Sequence, residues 1–299
     1  MSDNSAIEWT DATWNPVTGC TKVSPGCDNC YADTFSERWR GIAGHYFENG
    51  FDIQLRPDKL TVPLTWKKPR RVFVNSMSDL FHPDIHDADL HLIFGVMAAT
   101  PQHTYQILTK RHGRMRSLLN DPQFAHMAFH RAEMVYGRPE TAARTWPLPN
   151  IHLGVSVENQ KWADTRIPAL LDTSAAVRFL SCEPLLGPVD LTRIAAESKQ
   201  QPDMVYDALG QRYGVPGRWQ AATSARVDWV IVGGESGRGA RPMDPAWATQ
   251  IVQQCQHSNV PVFVKQLGSR WGKQHKDIDQ FPAELRVRQF PETTAPALS

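Results

Sequence analysis

The sequence predicts an α/β fold: a partial or near-complete (βα) barrel of mostly parallel strands, with loop insertions. Three observations predict it. Short apolar runs recur along the 299 residues, each followed by a stretch of helical character. The runs are apolar at almost every position, as in strands buried on both faces of a parallel sheet. Almost every run also ends in polar, reactive side chains, which is where (βα) barrels keep their active sites.

The first expected strand covers residues 14–19 and runs into a cysteine-rich loop. The others cover 71–75, 104–108, 151–155, 177–180, 228–232 and 260–264. Between them, Leu90, Ile93, Phe94 and Met97 follow the i, i+3, i+4, i+7 spacing of a helix face. Asp244 followed by Pro245 reads as an N-cap with proline at the first helical position. Trp247, Ile251, Val252 and Cys255 are expected to share one face of the helix that follows. Segments 44–68, 121–149 and 192–226 interrupt the alternation and read as insertions. Residues 1–268 are expected to form one barrel domain. Residues 269–299 form an extension, with its last eight residues, from Glu292, expected to be disordered.

Hydrophobic residues make up 41% of the chain, enough for a full core. The net charge of +1 excludes a global field that would draw the whole molecule to nucleic acid. No apolar run approaches the roughly 20 residues of a membrane span, so no membrane partner is expected. The N-terminus is polar and acidic, unlike a secretory signal. A cytoplasmic location is expected. Thiols stay reduced there, so clustered cysteines argue for metal rather than disulfides.

Three of the five cysteines cluster as Cys20, Cys27 and Cys30, a C-x6-C-x2-C arrangement. A four-iron cluster takes four ligands. Three cysteines leave one iron open, and an open metal position is where chemistry occurs. The alternative is a structural zinc with Cys182, Cys255 or a histidine as the fourth ligand. Cys255 reads as core. Cys182 reads either as a packed thiol or as a chemical participant.

The strand ends supply the other candidates. The second offers Ser76, Ser78 and Asp79, followed by His82. Later ends offer Lys110 and Arg111, then Ser156 and Glu158, then Cys182 and Glu183, then Gly233, Gly234 and Glu235, and finally Lys265 and Gln266. The glycines read either as an anion cradle or as a tight turn. The glutamates read either as binding and proton-transfer groups or as partners of Lys110 and Lys265. Trp9 and Trp14 read as packing residues. Basic stretches at 67–71 and 110–116 read as a solvated face or as a phosphate contact.

The cysteine triad, ending Cys-x-x-Cys-Tyr after a first strand, resembles the radical S-adenosylmethionine superfamily. The segments 7–20, 73–82, 108–111, 153–158, 179–187 and 230–237 resemble a phage-associated three-cysteine family of uncharacterised proteins similar to those enzymes. The resemblance implies a [4Fe-4S] cluster on Cys20, Cys27 and Cys30, with S-adenosylmethionine as second cofactor. It implies that Ser76, Ser78 and Asp79 contact the methionine moiety, with Glu158 and Glu183 nearer the ribose or substrate. Gly-Gly-Glu, usual on the second strand of that superfamily, stands here at 233–235 on the sixth. Cys182, Glu183 and Lys110 are the candidate catalytic groups. Glu158, Gly233, Gly234 and Glu235 join the serines and Asp79 as candidate cofactor contacts. The expected substrate is a nucleic acid or nucleotide, and an electron donor is the expected partner. A metal-stabilised binding protein without catalysis, or a zinc-dependent barrel hydrolase or lyase, are the competing readings.

Overall fold

The computed structural model describes residues 5, 7–137, 145–195, 204–215, 218–221 and 225–292. Seven strands form the main sheet: β1 (Ala12–Trp14), β2 (Arg71–Val74), β3 (Thr104–Thr109), β4 (Ile151–Ser156), β5 (Val177–Cys182), β6 (Trp229–Gly233) and β7 (Val262–Gln266). Their order in the sheet is their order in the sequence. This is the α/β class expected, with the strand order of a partial (βα) barrel. The chain divides into two compact units, one of residues 1–153, 173–176 and 293–299, the other of 154–172 and 177–292.

In the first unit β1 pairs with β2 and β2 with β3, all parallel, so that Thr13, Phe73 and Gln106 stand side by side. Alternate residues point to opposite faces. Val72, Val74, Tyr105 and Ile107 share one face and are at most 1% exposed. Tyr105 needs a partner for its hydroxyl there and has one in Thr100 Oγ1 at 2.6 Å. Besides a single turn at Pro57–Leu60, the helices described in this unit are α1 (Tyr31–Glu37), α2 (Asp87–Ala98), α3 (His112–Leu119) and α4 (Pro122–Met134). Asp87 and Asp89 sit in the first turn of α2, where they complement the helix dipole. Its expected stripe of Leu90, Ile93, Phe94 and Met97 is buried. Helix α4 lies within the expected 121–149 insertion and is capped by Asp121, whose carboxylate accepts from Gln123 N at 2.8 Å.

The first strand differs from expectation. Regular pairing stops at Trp14, because Pro16 has no N–H to continue a ladder. Val17 and Thr18 instead pair antiparallel with Gln54 and Leu55, which gives the expected 44–68 insertion a local anchor. Trp9 and Trp14 pack in the core at 3% and 0% exposure.

In the second unit β5 pairs with β6 and β6 with β7, all parallel, with an irregularity between Val232 and Gly233. Helix α5 (Gln160–Leu171) is capped by Asn159, and α6 (Pro245–His257) by Asp244 with Pro245 at its start, as the sequence indicates. The buried stripe of α6 is Ala248, Ile251, Val252 and Cys255; Trp247 is only half-buried. The 192–226 segment carries its own antiparallel sheet, in the order Arg218–Ala221, Arg212–Val215, Val205–Asp207, Ile194–Ala195. Residues 269–292 belong to this unit: Val264 N donates to Val287 O and Gln289 N to Val262 O, each at 2.9 Å. Of the last eight residues, expected to be disordered, 293–299 lie outside the described residues. Among the described residues no helix is long and apolar enough to cross a membrane.

Candidate functional site

The candidate residues fall into two groups, one in each unit. In the first unit the cysteine loop leaves β1 through Gly19, whose φ of +91° suits glycine. A Cβ there would lie 2.1 Å from Asp52 O, so the position admits no side chain. Gly19 N donates to Met77 O at 2.9 Å and Cys20 N to Phe51 O at 3.2 Å. The chain then makes a 3-10 turn over Pro25–Cys27, and Cys30 forms the N-cap position of α1. All three thiols are free and half-buried.

Arg111 organises this loop from beneath. Its Nη1 donates to Cys20 Sγ at 3.4 Å and to Asp79 Oδ2 at 3.2 Å. Its Nη2 donates to the carbonyl and the hydroxyl of Thr21 at 3.0 and 2.8 Å. The Arg111 and Asp79 side chains are 10% and 8% exposed, so the pair is little screened by water. Asp79 also accepts from Phe81 N, Thr109 Oγ1 and Lys110 N at 3.0, 2.7 and 2.9 Å. Burial raises the pKa of the Cys20 thiol and Asp79 adds to the rise, while Arg111 opposes both. His82 bonds Thr21 Oγ1 at 2.8 Å, and burial lowers its pKa.

The serines expected to touch a cofactor support this floor. Ser76 Oγ donates to Asn15 Oδ1 at 3.2 Å, and Ser78 Oγ to Val17 O at 3.1 Å. The Tyr31 hydroxyl donates to Ser76 O. In this geometry Ser76, Ser78 and Asp79 hold the cysteine loop, and their polar atoms are engaged by the protein. Lys110 is half-buried, fixed through its backbone N–H.

In the second unit Glu183 accepts from Lys265 Nζ at 2.8 and 2.9 Å and from Gln266 Nε2 at 2.7 Å. The Glu183 and Lys265 side chains are 17% and 16% exposed, so this pair remains reachable. The glycines answer to packing. A Cβ on Gly233 would lie 3.1 Å from the Glu183 carboxyl carbon, and one on Gly234 2.6 Å from Leu267 O and 2.8 Å from Gly268 Cα. Backbone cannot move aside as a side chain can, so Gly234→Ala is expected to cost about 1–3 kcal/mol. A urea midpoint equal to that of the unaltered protein would refute the close approach.

Glu235 accepts from Arg241 N, Nε and Nη2 at 2.8, 3.0 and 2.6 Å and is 5% exposed. Glu158 accepts from Arg166 Nη1 at 2.8 Å with both side chains at 0% exposure. In this geometry both carboxylates are engaged in internal ion pairs and buried. Cys182 is also fully buried, and burial holds its thiol protonated, with Cys255 and Glu158 adding to the effect. That is the packed-thiol reading. Cys255 is core as expected, with burial pushing its thiol up to about 12.

Sequence reasoning missed Arg166, Arg241 and the linking role of Arg111. Arg166 had a signal, because it interrupts the apolar stripe Ala163, Ile167, Leu170 of α5, all buried. A charge at such a position needs a buried partner. The basic stretches carry less free charge than their composition suggests. Arg71 pairs with Asp11 at 2.9 Å, Arg114 with Asp87 at 2.6 Å, and Arg70 lies 5.0 Å over the Trp66 ring.

Among the described residues no three His, Cys, Asp or Glu side chains converge as ligands of a single metal ion. A cubane cluster binds each cysteine through a different iron, so its ligands need not converge on one point. Three free thiols on one loop are the soft donors such a cluster takes, and the Arg111 N–H on Cys20 is a hydrogen bond of the kind thiolate ligands receive. The donor set fits the group. No curated protein and no solved structure matches the chain. A family model described as protein of unknown function (DUF5131) matches residues 4–292, and the chain belongs to that family.

Proposed function

We propose that this protein is a radical S-adenosylmethionine-type enzyme that holds a [4Fe-4S] cluster on Cys20, Cys27 and Cys30. The observation that carries the reading is three free, half-buried thiols on one loop, with Arg111 bonded to the first of them. When bound and reduced, such a cluster supplies the electron that cleaves S-adenosylmethionine and yields a carbon radical able to take hydrogen from a substrate.

The chain's own residues do the holding. Gly19 lets the loop cross Asp52 closely. Asp79 fixes Arg111, and Arg111 fixes Cys20 and Thr21. The substrate class we assign is a nucleotide or nucleic acid. Lys67 and Lys68, exposed ahead of β2, support it, as does the resemblance to phage-associated proteins. A protein electron donor completes the scheme, in a reducing compartment such as the cytoplasm, where the thiols stay free.

Anaerobic reconstitution with iron and sulfide tests the reading. The expected result is about four irons per chain, broad visible absorption, and 5′-deoxyadenosine formed from S-adenosylmethionine under dithionite. A stable protein with one zinc and no deoxyadenosine would return it to a metal-stabilised binding protein.

A further inference from the structure

One stretch of sheet in the first unit carries buried polar side chains that are incompletely bonded. Thr13 and Phe73 are partners across β1 and β2, and Phe73 and Gln106 across β2 and β3. Tyr105 N donates to Asn150 O at 2.8 Å. In a parallel ladder that bond sets Tyr105 opposite Ile151, and so Gln106 beside His152. Asn75 follows at the end of β2 with a φ of +59°, the left-handed region that asparagine enters more readily than most residues other than glycine. Asn75, Gln106 and His152 are 3%, 1% and 5% exposed. Gln106 Nε2 donates to Trp9 O at 3.4 Å. Gln106 Oε1, His152 Nδ1 and both polar atoms of the Asn75 amide are buried without a hydrogen-bond partner among the described residues.

Folded proteins rarely leave buried polar atoms unmatched, and each exception calls for a partner. Four of the sixteen such atoms among the described residues belong to this stretch of sheet, on Gln106, His152 and Asn75 just past the end of β2. Thr13 and Leu108 on the same face are half-buried.

We propose that Asn75, Gln106 and His152 form a binding site for a nucleobase of the substrate. The site's chemistry selects the ligand. All three groups are neutral, since burial lowers the His152 pKa to about 4. A charged ligand would enter without a countercharge, at a large desolvation cost. The unmatched atoms include the donor and acceptor of one planar amide and a further acceptor. That set complements the edge of a base, which carries donors and acceptors on neighbouring atoms. Phe73 stands in the same row, with the Trp9 ring at 4.7 Å, and aromatic walls are common where an extruded base is read.

The proposal rests on the nucleotide reading above for the source of the base. Its test uses the iron-free full chain, so that the two fail separately. Adenosine, guanosine, cytidine and uridine are titrated one at a time by calorimetry. At least one binds, with an affinity that does not fall as salt rises, because no phosphate is involved. Gln106→Met and Asn75→Gly each weaken that binding about tenfold or more; glycine keeps the backbone conformation at position 75. Gln106→Met also raises the melting temperature of the unliganded protein, because an unmatched buried acceptor is removed. If that variant does not fold, Asn75→Gly decides alone.

Any one of four results would overturn the site. None of the four nucleosides binds. Binding survives both substitutions, or Gln106→Met lowers the melting temperature, as a water-filled core would require. Or S-adenosylmethionine displaces the nucleoside, which would make the row part of a cofactor site.

Discussion

Cys30→Ala is expected to take reconstituted iron from about four per chain to background. The triad is the smallest set that can hold such a cluster with one iron left open, and no fourth cysteine is at hand to replace a lost one. Cys182 and Cys255 are at 0% exposure, inside the second unit's core. The fold itself should survive the change. Cys30 contributes its carbonyl to the first turn of α1, accepting from Thr34 N at 3.0 Å, and alanine keeps that carbonyl. Circular dichroism should therefore match the unaltered protein while the visible absorption disappears. Cys182→Ala is the matched control, and it should keep the iron. Full iron on the Cys30 variant would remove the triad as the ligand set.

Arg166→Met is expected to destabilise the protein by about 3–5 kcal/mol. The substitution keeps the volume but leaves the Glu158 carboxylate buried without its cation. Arg166 Nη1 also donates to Ser156 O at 2.8 Å, and its guanidinium lies 4.1 Å over the Trp162 ring. The loss therefore includes a backbone acceptor and a stacked contact. The double variant Glu158→Leu with Arg166→Met removes both charges and is expected to recover much of the stability, because an apolar pair of similar volume carries no desolvation cost. Urea midpoints of the single and double variants decide it. A single variant within about 0.5 kcal/mol of the unaltered protein would mean that water reaches the pair.

The two outcomes test different kinds of legibility. The cysteine triad is readable because its three members lie within eleven residues. Strands β2 to β7 were readable as apolar runs, and α2 and α6 from their stripes and from the Asp244–Pro245 start. The end of β1 was misplaced because the apolar character of Val17 outlasts the ladder that Pro16 interrupts. The charged candidates were the least legible. Glu158, Glu235 and Asp79 have the residue type and the strand-end position of functional groups, yet each is engaged by an arginine. Glu183 pairs with Lys265, and these two alone among these carboxylate pairs keep both side chains above a tenth exposed.

By itself the sequence determined the α/β class, the order of strands and helices, and the three thiols on one loop. These depend on periodicity and spacing over a few residues, which folding carries through unchanged. The tertiary structure alone decided which polar groups face each other. Arg111 meets Cys20 across 91 positions and Lys265 meets Glu183 across 82. Burial decided the rest. It leaves the Asn75 amide unmatched and closes Glu158 from solvent, because desolvation depends on what the remainder of the chain packs around a group, and no local pattern encodes that.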